Sequence, residues 1–198
     1  MLAKGKCLEK IKNIIFFLLV FFFSNKLFAV DVKSELIAYN KNLKGISASF
    51  IQSDGDTVEE GVIYVGSKRI RLDYNKPKKI SIILSDKKGM YVNHELMEVQ
   101  YFNTKKSIIG DFFKVLTGED FDGGYEIKTK KGSIELINSF DIDGIFYKTH
   151  IIYERSPLSL RKLNIKENQK NTEIGFYSHQ KTDNLREGFF SLVNPYLN

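Results

Sequence analysis

The stretch that most constrains this chain runs from Gly61 to Pro77. Val62 to Val65 is β-branched and aromatic throughout, the composition of a buried strand. Gly66-Ser67-Lys68 is turn chemistry. Arg69 to Tyr74 then alternates strictly, with Ile70, Leu72 and Tyr74 on one face and Arg69, Arg71 and Asp73 on the other. Asn75-Lys76-Pro77 ends the run, because proline has no N–H to give to a ladder. A hairpin with one apolar and one charged face must cover something with the apolar one. Periodicity alone does not say whether that is a packed core or a cavity.

The N-terminus stands apart. Met1 to Asn13 is basic, Ile14 to Phe23 is an unbroken apolar run, and Ser24 to Ala29 is a more polar tail ending in a small residue. That three-part pattern is a secretory signal peptide, with cleavage expected after Ala29. The run is too short for a transmembrane helix, which needs about 20 residues; the competing reading is an uncleaved N-terminal anchor. Lys4, Lys6, Lys10, Lys12 and Lys26 against Glu9 put four of the chain's six net positive charges in the leader, leaving +2 for residues 30–198. A nucleic-acid function loses most of its support on that count. The one cysteine, Cys7, also lies in the leader and before its apolar run, so residues 30–198 have neither a disulfide nor a lipidated cysteine. These 169 residues suit a single domain.

Within that domain, Val30 to Leu43 reads as a short helix, with Val32, Leu36, Tyr39 and Leu43 in one stripe and Gly45 as a C-cap. Ile46 to Gln52 alternates as a first strand, followed by a Ser53-Asp54-Gly55-Asp56 turn. After the Gly61–Pro77 hairpin come strands at Lys79 to Leu84, Met90 to Val92 and Leu96 to Phe102. Ser107 to Leu116 breaks the rhythm. Ile108, Ile109, Phe112, Phe113, Val115 and Leu116 take helical spacing, with Gly110 inside and Gly118 as the stop. It is either an ordinary core helix or a lid that bends or shifts over a cavity. An acidic loop, Glu119 to Gly124, leads to strands at Tyr125 to Lys130, Ser133 to Asn138, Phe146 to Tyr153, Ser159 to Lys166 and Thr172 to His179. Phe189, Phe190 and Leu192 form a last apolar segment before Pro195. Ten or eleven short antiparallel strands with few helices imply a mainly β sandwich or barrel.

The chemistry-bearing residues form no catalytic set. His94, His150 and His179 have no second histidine or cysteine three or four residues away. There is neither a Gly-x-Ser-x-Gly elbow nor a phosphate-binding glycine loop. Asp54/Asp56, Asp120/Asp122 and Asp141/Asp143 sit beside glycines, where turns want carboxylates. An enzyme, a metal site or a cofactor has no residues to carry it. What is abundant is apolar side chains on alternating strands.

Ala48-Ser49-Phe50-Ile51-Gln52 on the first strand resembles the Ala-Ser-Phe-x-Gln of the LolA family, periplasmic carriers of outer-membrane lipoproteins. Arg71-Leu72-Asp73-Tyr74 followed by Pro77 is similar to the family's Arg-Phe-Glu-Tyr and proline. Ser156-Pro157-Leu158 to Asn164, Asn171-Thr172-Glu173 and Phe189-Phe190 to Pro195 look like its C-terminal half. The resemblance spans essentially all of residues 30–198. It implies a mainly β (α+β) fold, an incompletely closed antiparallel barrel of about eleven strands with short helices as a lid. It implies a cavity for acyl chains, to which Phe50, Tyr64, Ile70, Leu72, Tyr74, Ile82 and Leu84 are assigned. Both faces of Ile80 to Leu84 are apolar, so which one looks inward is open. The lid would be the helix carrying Ile108, Ile109, Phe112, Phe113 and Leu116. The implied partners are triacylated lipoproteins, an inner-membrane ABC transporter of the LolCDE type that loads them, and either a LolB-type acceptor or the outer membrane itself. A monomer without nucleic acid or cofactor is implied. The family usually has Arg-Pro after the first strand of the hairpin, and that arginine is thought to hold the lid closed. Here the matching residues are Gly66-Ser67 and the nearest arginine is Arg69. Either Arg69 takes the role or the latch works differently. The rival from another class is a lipid- or lipoprotein-sensing regulatory domain on the same half-barrel; such regulators usually carry a second domain and a tether, for which 169 residues leave no room.

Overall fold

The alternating segments all become strands of one sheet. In the computed structural model, which describes residues 31–118, 124–182 and 185–197, the order is α1 (Val32–Lys41), β1 (Ile46–Ser53), β2 (Val58–Val65), β3 (Ile70–Lys76), β4 (Ile80–Leu84), β5 (Lys88–Asn93), β6 (Glu98–Asn103) and a 3₁₀ turn (Thr104–Lys106). Then come α2 (Ile108–Leu116), β7 (Glu126–Thr129), β8 (Ser133–Ile142), β9 (Ile145–Glu154), β10 (Ser159–Glu167), β11 (Lys170–Lys181) and a second 3₁₀ turn (Glu187–Phe190). The leader expected over Met1–Ala29 and residues 119–123 of the acidic loop lie outside the described residues.

Every neighbouring strand pair is antiparallel, in the order β6-β5-β4-β3-β2-β1-β11-β10-β9-β8-β7. β6 and β7 are both edges, so the barrel is not closed. β1 and β11 join the two meanders through Phe50 opposite Phe176. The hairpin of β2 and β3 pairs Ile63 with Leu72 and Val65 with Ile70, which aligns its apolar face. The strands of the C-terminal half run longer than alternation alone predicts. β8 and β9 continue to Ile142 and Ile145 because Asp143-Gly144 has positive φ at both residues (52° and 83°), the two-residue turn that extends a ladder without splaying it.

One face of the sheet carries a core that runs across both meanders. Ala48, Phe50, Ile63, Ile70, Leu72, Ile134, Leu136, Ile151, Leu163 and Phe176 are buried there. The intervening residues Ile51 and Tyr177 are exposed on the other face. Gly61 sits opposite Phe50 because a Cβ would lie 2.5 Å from the Phe50 ring. The two helices pack on the same face. Leu36 of α1 is fully buried, and Asn40, also buried, exchanges hydrogen bonds with the Tyr153 hydroxyl (3.1 and 3.2 Å). Tyr39 stands edge-on to Tyr153 and its hydroxyl accepts from the Leu160 N–H at 2.9 Å.

Candidate functional site

The inner face of β1, β3 and β4 is a row of apolar side chains. Register places Ile70 opposite Leu84 and Leu72 opposite Ile82, so Ile82 and Leu84 share the face of Ile70, Leu72 and Tyr74. Phe50 meets Tyr74 edge-to-face at 4.9 Å, and the Tyr74 hydroxyl donates to Gln52 Oε1 at 3.0 Å. Burial pushes the Tyr74 phenol well above its ordinary range. Six of the seven residues assigned to acyl chains are therefore brought together: Phe50, Ile70, Leu72, Tyr74, Ile82 and Leu84.

The seventh is not. Tyr64 alternates with Ile63 and Val65 and lies on the outer face, where its ring packs edge-on to Phe189 at 4.9 Å. That outer face has a core of its own. Ile83, Met90, Val92 and Phe190 are buried together, with Tyr64, Val99, Leu185, Phe189, Leu192 and Tyr196 against them. The C-terminal segment is fastened there by polar contacts. Arg69 Nη1 donates to the Phe190 carbonyl at 2.8 Å, and Arg71 Nη1 to the Phe189 carbonyl at 2.9 Å. Arg71 also pairs with Asp73 and lies over the Phe189 ring. Ser81 Oγ donates to Asp73 at 2.6 Å, leaving its lone pair to face His94 Nε2 at 2.8 Å. The other ring nitrogen of His94 meets the Tyr196 hydroxyl at 2.8 Å. Arg69, the candidate lid latch, is thus engaged with the C-terminal segment.

The helix over the inner face is α2. Phe112, Phe113, Val115 and Leu116 are buried, Ile108 and Ile109 half-buried. Phe112 stacks on Phe176 with centroids 6.0 Å apart, which seats the helix against β11. Gly110 is not a bend in this helix. A Cβ there would stand 1.9 Å from the Thr104 carbonyl oxygen, so glycine is what allows the helix to close onto the preceding turn. On the same helix Asp111 accepts a hydrogen bond from the Tyr125 hydroxyl. Burial, then the Asp111 charge, holds the Tyr125 phenol far above its ordinary range. Asn138 of β8 lies near Tyr125. Opposite Asn138, Thr149 is buried with its hydroxyl unpartnered. Alternation missed this polar row, because Asn138 takes an inward position between Leu136 and Phe140, and Thr149 one between Tyr147 and Ile151, where an apolar residue is the expectation.

A hollow of about 930 Å³ lies elsewhere, between Lys44, Gly66, Arg69 and Lys181 and the C-terminal segment at Phe190, Leu192 and Val193. On the inner face, α1 packs against Tyr153 and α2 against Phe176. Among the described residues, no three His, Cys, Asp or Glu side chains are grouped to hold a metal, and no helix is long and apolar enough to cross a membrane. Asp54 is used within its turn. Thr57 donates from its N–H and its hydroxyl (both 3.0 Å), and Lys170 pairs with it at 3.0 Å; together these hold its carboxyl far below the usual range. His150 meets Glu135 at 3.1 Å on the outer face.

No curated protein sequence matches the chain significantly. Among solved structures, an uncharacterized conserved protein from Thermus thermophilus superposes with TM-score 0.52 at 7% identity, covering 81% of this chain and 93% of that one. The MucA/MucB complex of Pseudomonas aeruginosa is matched at TM-score 0.46 and 10% identity, over 82% of this chain and 62% of that one. The first of these supports the fold alone. The family model for the outer membrane lipoprotein carrier protein LolA matches residues 41–193, from the end of α1 through the eleven strands to the C-terminal segment, and the chain belongs to the LolA family.

Proposed function

We propose that this protein is a periplasmic carrier that takes acylated lipoproteins from an inner-membrane transporter of the LolCDE type and delivers them to the outer membrane, directly or through a LolB-type acceptor. The observation that carries the reading is the continuous apolar inner face from Phe50 to Leu84, roofed by one nine-residue helix, in a member of this family. Residues 1–29 would be its cleaved leader. Phe50, Ile70, Leu72, Tyr74, Ile82 and Leu84 would meet acyl chains once α2 lifts, and Phe112, Phe113 and Leu116 would be the lid contacts that the chains replace.

The magnitudes explain why such a carrier is needed. About three acyl chains expose roughly 40 methylenes, and at ~0.8 kcal/mol each their desolvation is worth roughly 30 kcal/mol. Non-covalent affinities saturate near about 18–21 kcal/mol, so release into water is excluded and handover has to be direct. A carrier must hold the chains less well than the receiving membrane does. A face that closes on its own helices when empty meets that need, because the closed state competes with cargo.

The test is to express the protein in a periplasm, purify it, and look for co-purified acylated lipoproteins. Extraction of lipoproteins from transporter-bearing spheroplasts is the second arm. Lipid-free protein that also extracts nothing would sink the carrier reading.

A further inference from the structure

We propose that Thr149 and Asn138 form a polar subsite on the inner face that receives an ester carbonyl of the acylated cargo. This rests on the carrier reading above and adds to it a chemical preference within the cavity.

Register sets the pair directly opposite each other on β8 and β9. At such positions Cβ atoms stand about 4.5–5.5 Å apart, close enough for two side chains to converge on one small group. Both are interior: Thr149 is 1% exposed and Asn138 9%. The Asn138 Oδ1 accepts from the Ser139 N–H at 2.9 Å, which turns its Nδ2 donor away from the strand. In the closed state the Tyr125 hydroxyl, near that side chain, donates to Asp111 of α2. The row therefore ends at the lid helix on one side and at an unpartnered hydroxyl, Thr149 Oγ1, on the other. A buried hydroxyl without a partner lowers the stability of the protein that carries it. An acceptor arriving with a ligand removes that deficit.

The surroundings select the acceptor. Leu136 and Ile151 are the buried neighbours of the pair on β8 and β9, Phe140 and Tyr147 follow on its other side, and Ile165 of β10 lies opposite Thr149. The charged group facing the row is the Asp111 carboxylate. An anionic carboxylate or phosphate would be repelled, and no cation is aimed at the row among the described contacts. A neutral carbonyl attached to an alkyl chain fits both the donors and the walls. Lifting α2 takes the Asp111 carboxylate away from Tyr125 and from the row at the moment the inner face opens, which leaves the Thr149 hydroxyl and the Asn138 amide to meet a neutral acceptor.

The experiment compares two synthetic lipopeptides that begin with an N-acylated cysteine, one S-diacylglyceryl ester and one dialkyl ether of equal chain length. Each displaces a fluorescent acyl probe from purified wild-type, T149V and T149S protein. Wild type is expected to favour the ester by about five- to tenfold, the worth of one or two modest hydrogen bonds. T149V should bind both lipopeptides alike and melt at a higher temperature than wild type when empty, and T149S should keep the preference. An ester preference undiminished in T149V, or none in wild type, overturns the subsite while leaving the carrier reading intact. Failure of both lipopeptides to bind wild type overturns the carrier reading and the subsite with it.

Discussion

Replacing Gly110 by alanine tests how α2 is held over the inner face. On helix propensity alone the change should stabilise the protein by about 1 kcal/mol. The packing says otherwise. The new Cβ would lie 1.9 Å from the Thr104 carbonyl oxygen and 2.8 Å from its carbon, and both are backbone atoms that no rotamer change can move. Thr104 is itself fixed, buried and donating from Oγ1 to the carbonyls of Ser85 (3.0 Å) and Asp86 (2.9 Å). Ordinary contact near 3.4 Å therefore requires the helix to draw back by roughly 1.5 Å. Overpacking of this kind costs about 1–3 kcal/mol. After the propensity gain, a net loss of up to about 2 kcal/mol remains, or a fall in Tm of up to roughly 8 °C for a chain of this size. Thermal unfolding followed by circular dichroism measures the first quantity. Because α2 covers the inner face, uptake of a hydrophobic dye at room temperature should rise while the β signal is unchanged. A G110A protein that melts at or above the wild-type temperature with unchanged dye uptake would refute the idea that a glycine-dependent contact seats the helix.

Phe190→Ala should lower stability by about 3–5 kcal/mol, since the ring is 4% exposed in the outer-face cluster; a urea midpoint shift with unchanged slope measures it. Tyr74, Tyr125 and Tyr153 have phenols raised by burial above their ordinary value, so the folded state keeps protons that the unfolded state releases above about pH 10. Stability should be level below that pH and fall above it, with these three tyrosines ionising, by their ultraviolet difference absorbance, only as the far-ultraviolet circular dichroism is lost. His179 is held below the ordinary imidazole value by burial and then by Arg161, so its contribution is full above about pH 7 and is lost as pH falls through the ordinary histidine range. H179L should flatten the dependence of the urea midpoint on pH between about 7.5 and 5.

Much of the fold was legible because alternation maps directly onto register. Ile70, Leu72 and Tyr74 turn inward and Arg69, Arg71 and Asp73 outward, as the spacing requires. Alternation needs a polar partner position to be informative, and it failed where both positions were apolar. Tyr64 in Val62–Val65 had no polar neighbour to set its face, and Ile83 in Ile80–Leu84 had only Ser81. Both lie on the outer face, and the reason both faces are apolar there is that both are covered, one by helices and one by the C-terminal segment. Phe189, Phe190 and Leu192 were the available signal: a late apolar segment must cover something, and the strands apolar on both faces were the ones left to be covered.

The candidate site was legible as a class of surface and only partly as a set of contacts. Periodicity identifies apolar faces within one segment, whereas Asp111, Tyr125, Asn138 and Thr149 come from four segments and meet only through the ladder of β8 and β9 and the seat of α2. The arginine question shows the same limit. Arg69 stood at the right distance along the chain from the expected latch position, but strand direction sent its guanidinium to the Phe190 carbonyl. The group that does join the helix to the sheet side is Asp111, through Tyr125. A hydrogen bond from a buried phenol to a carboxylate is not an ion pair, and dissolved salt screens it little. Closure that depends on it is therefore sensitive to what enters the inner face rather than to ionic strength, which suits the lid role proposed for α2.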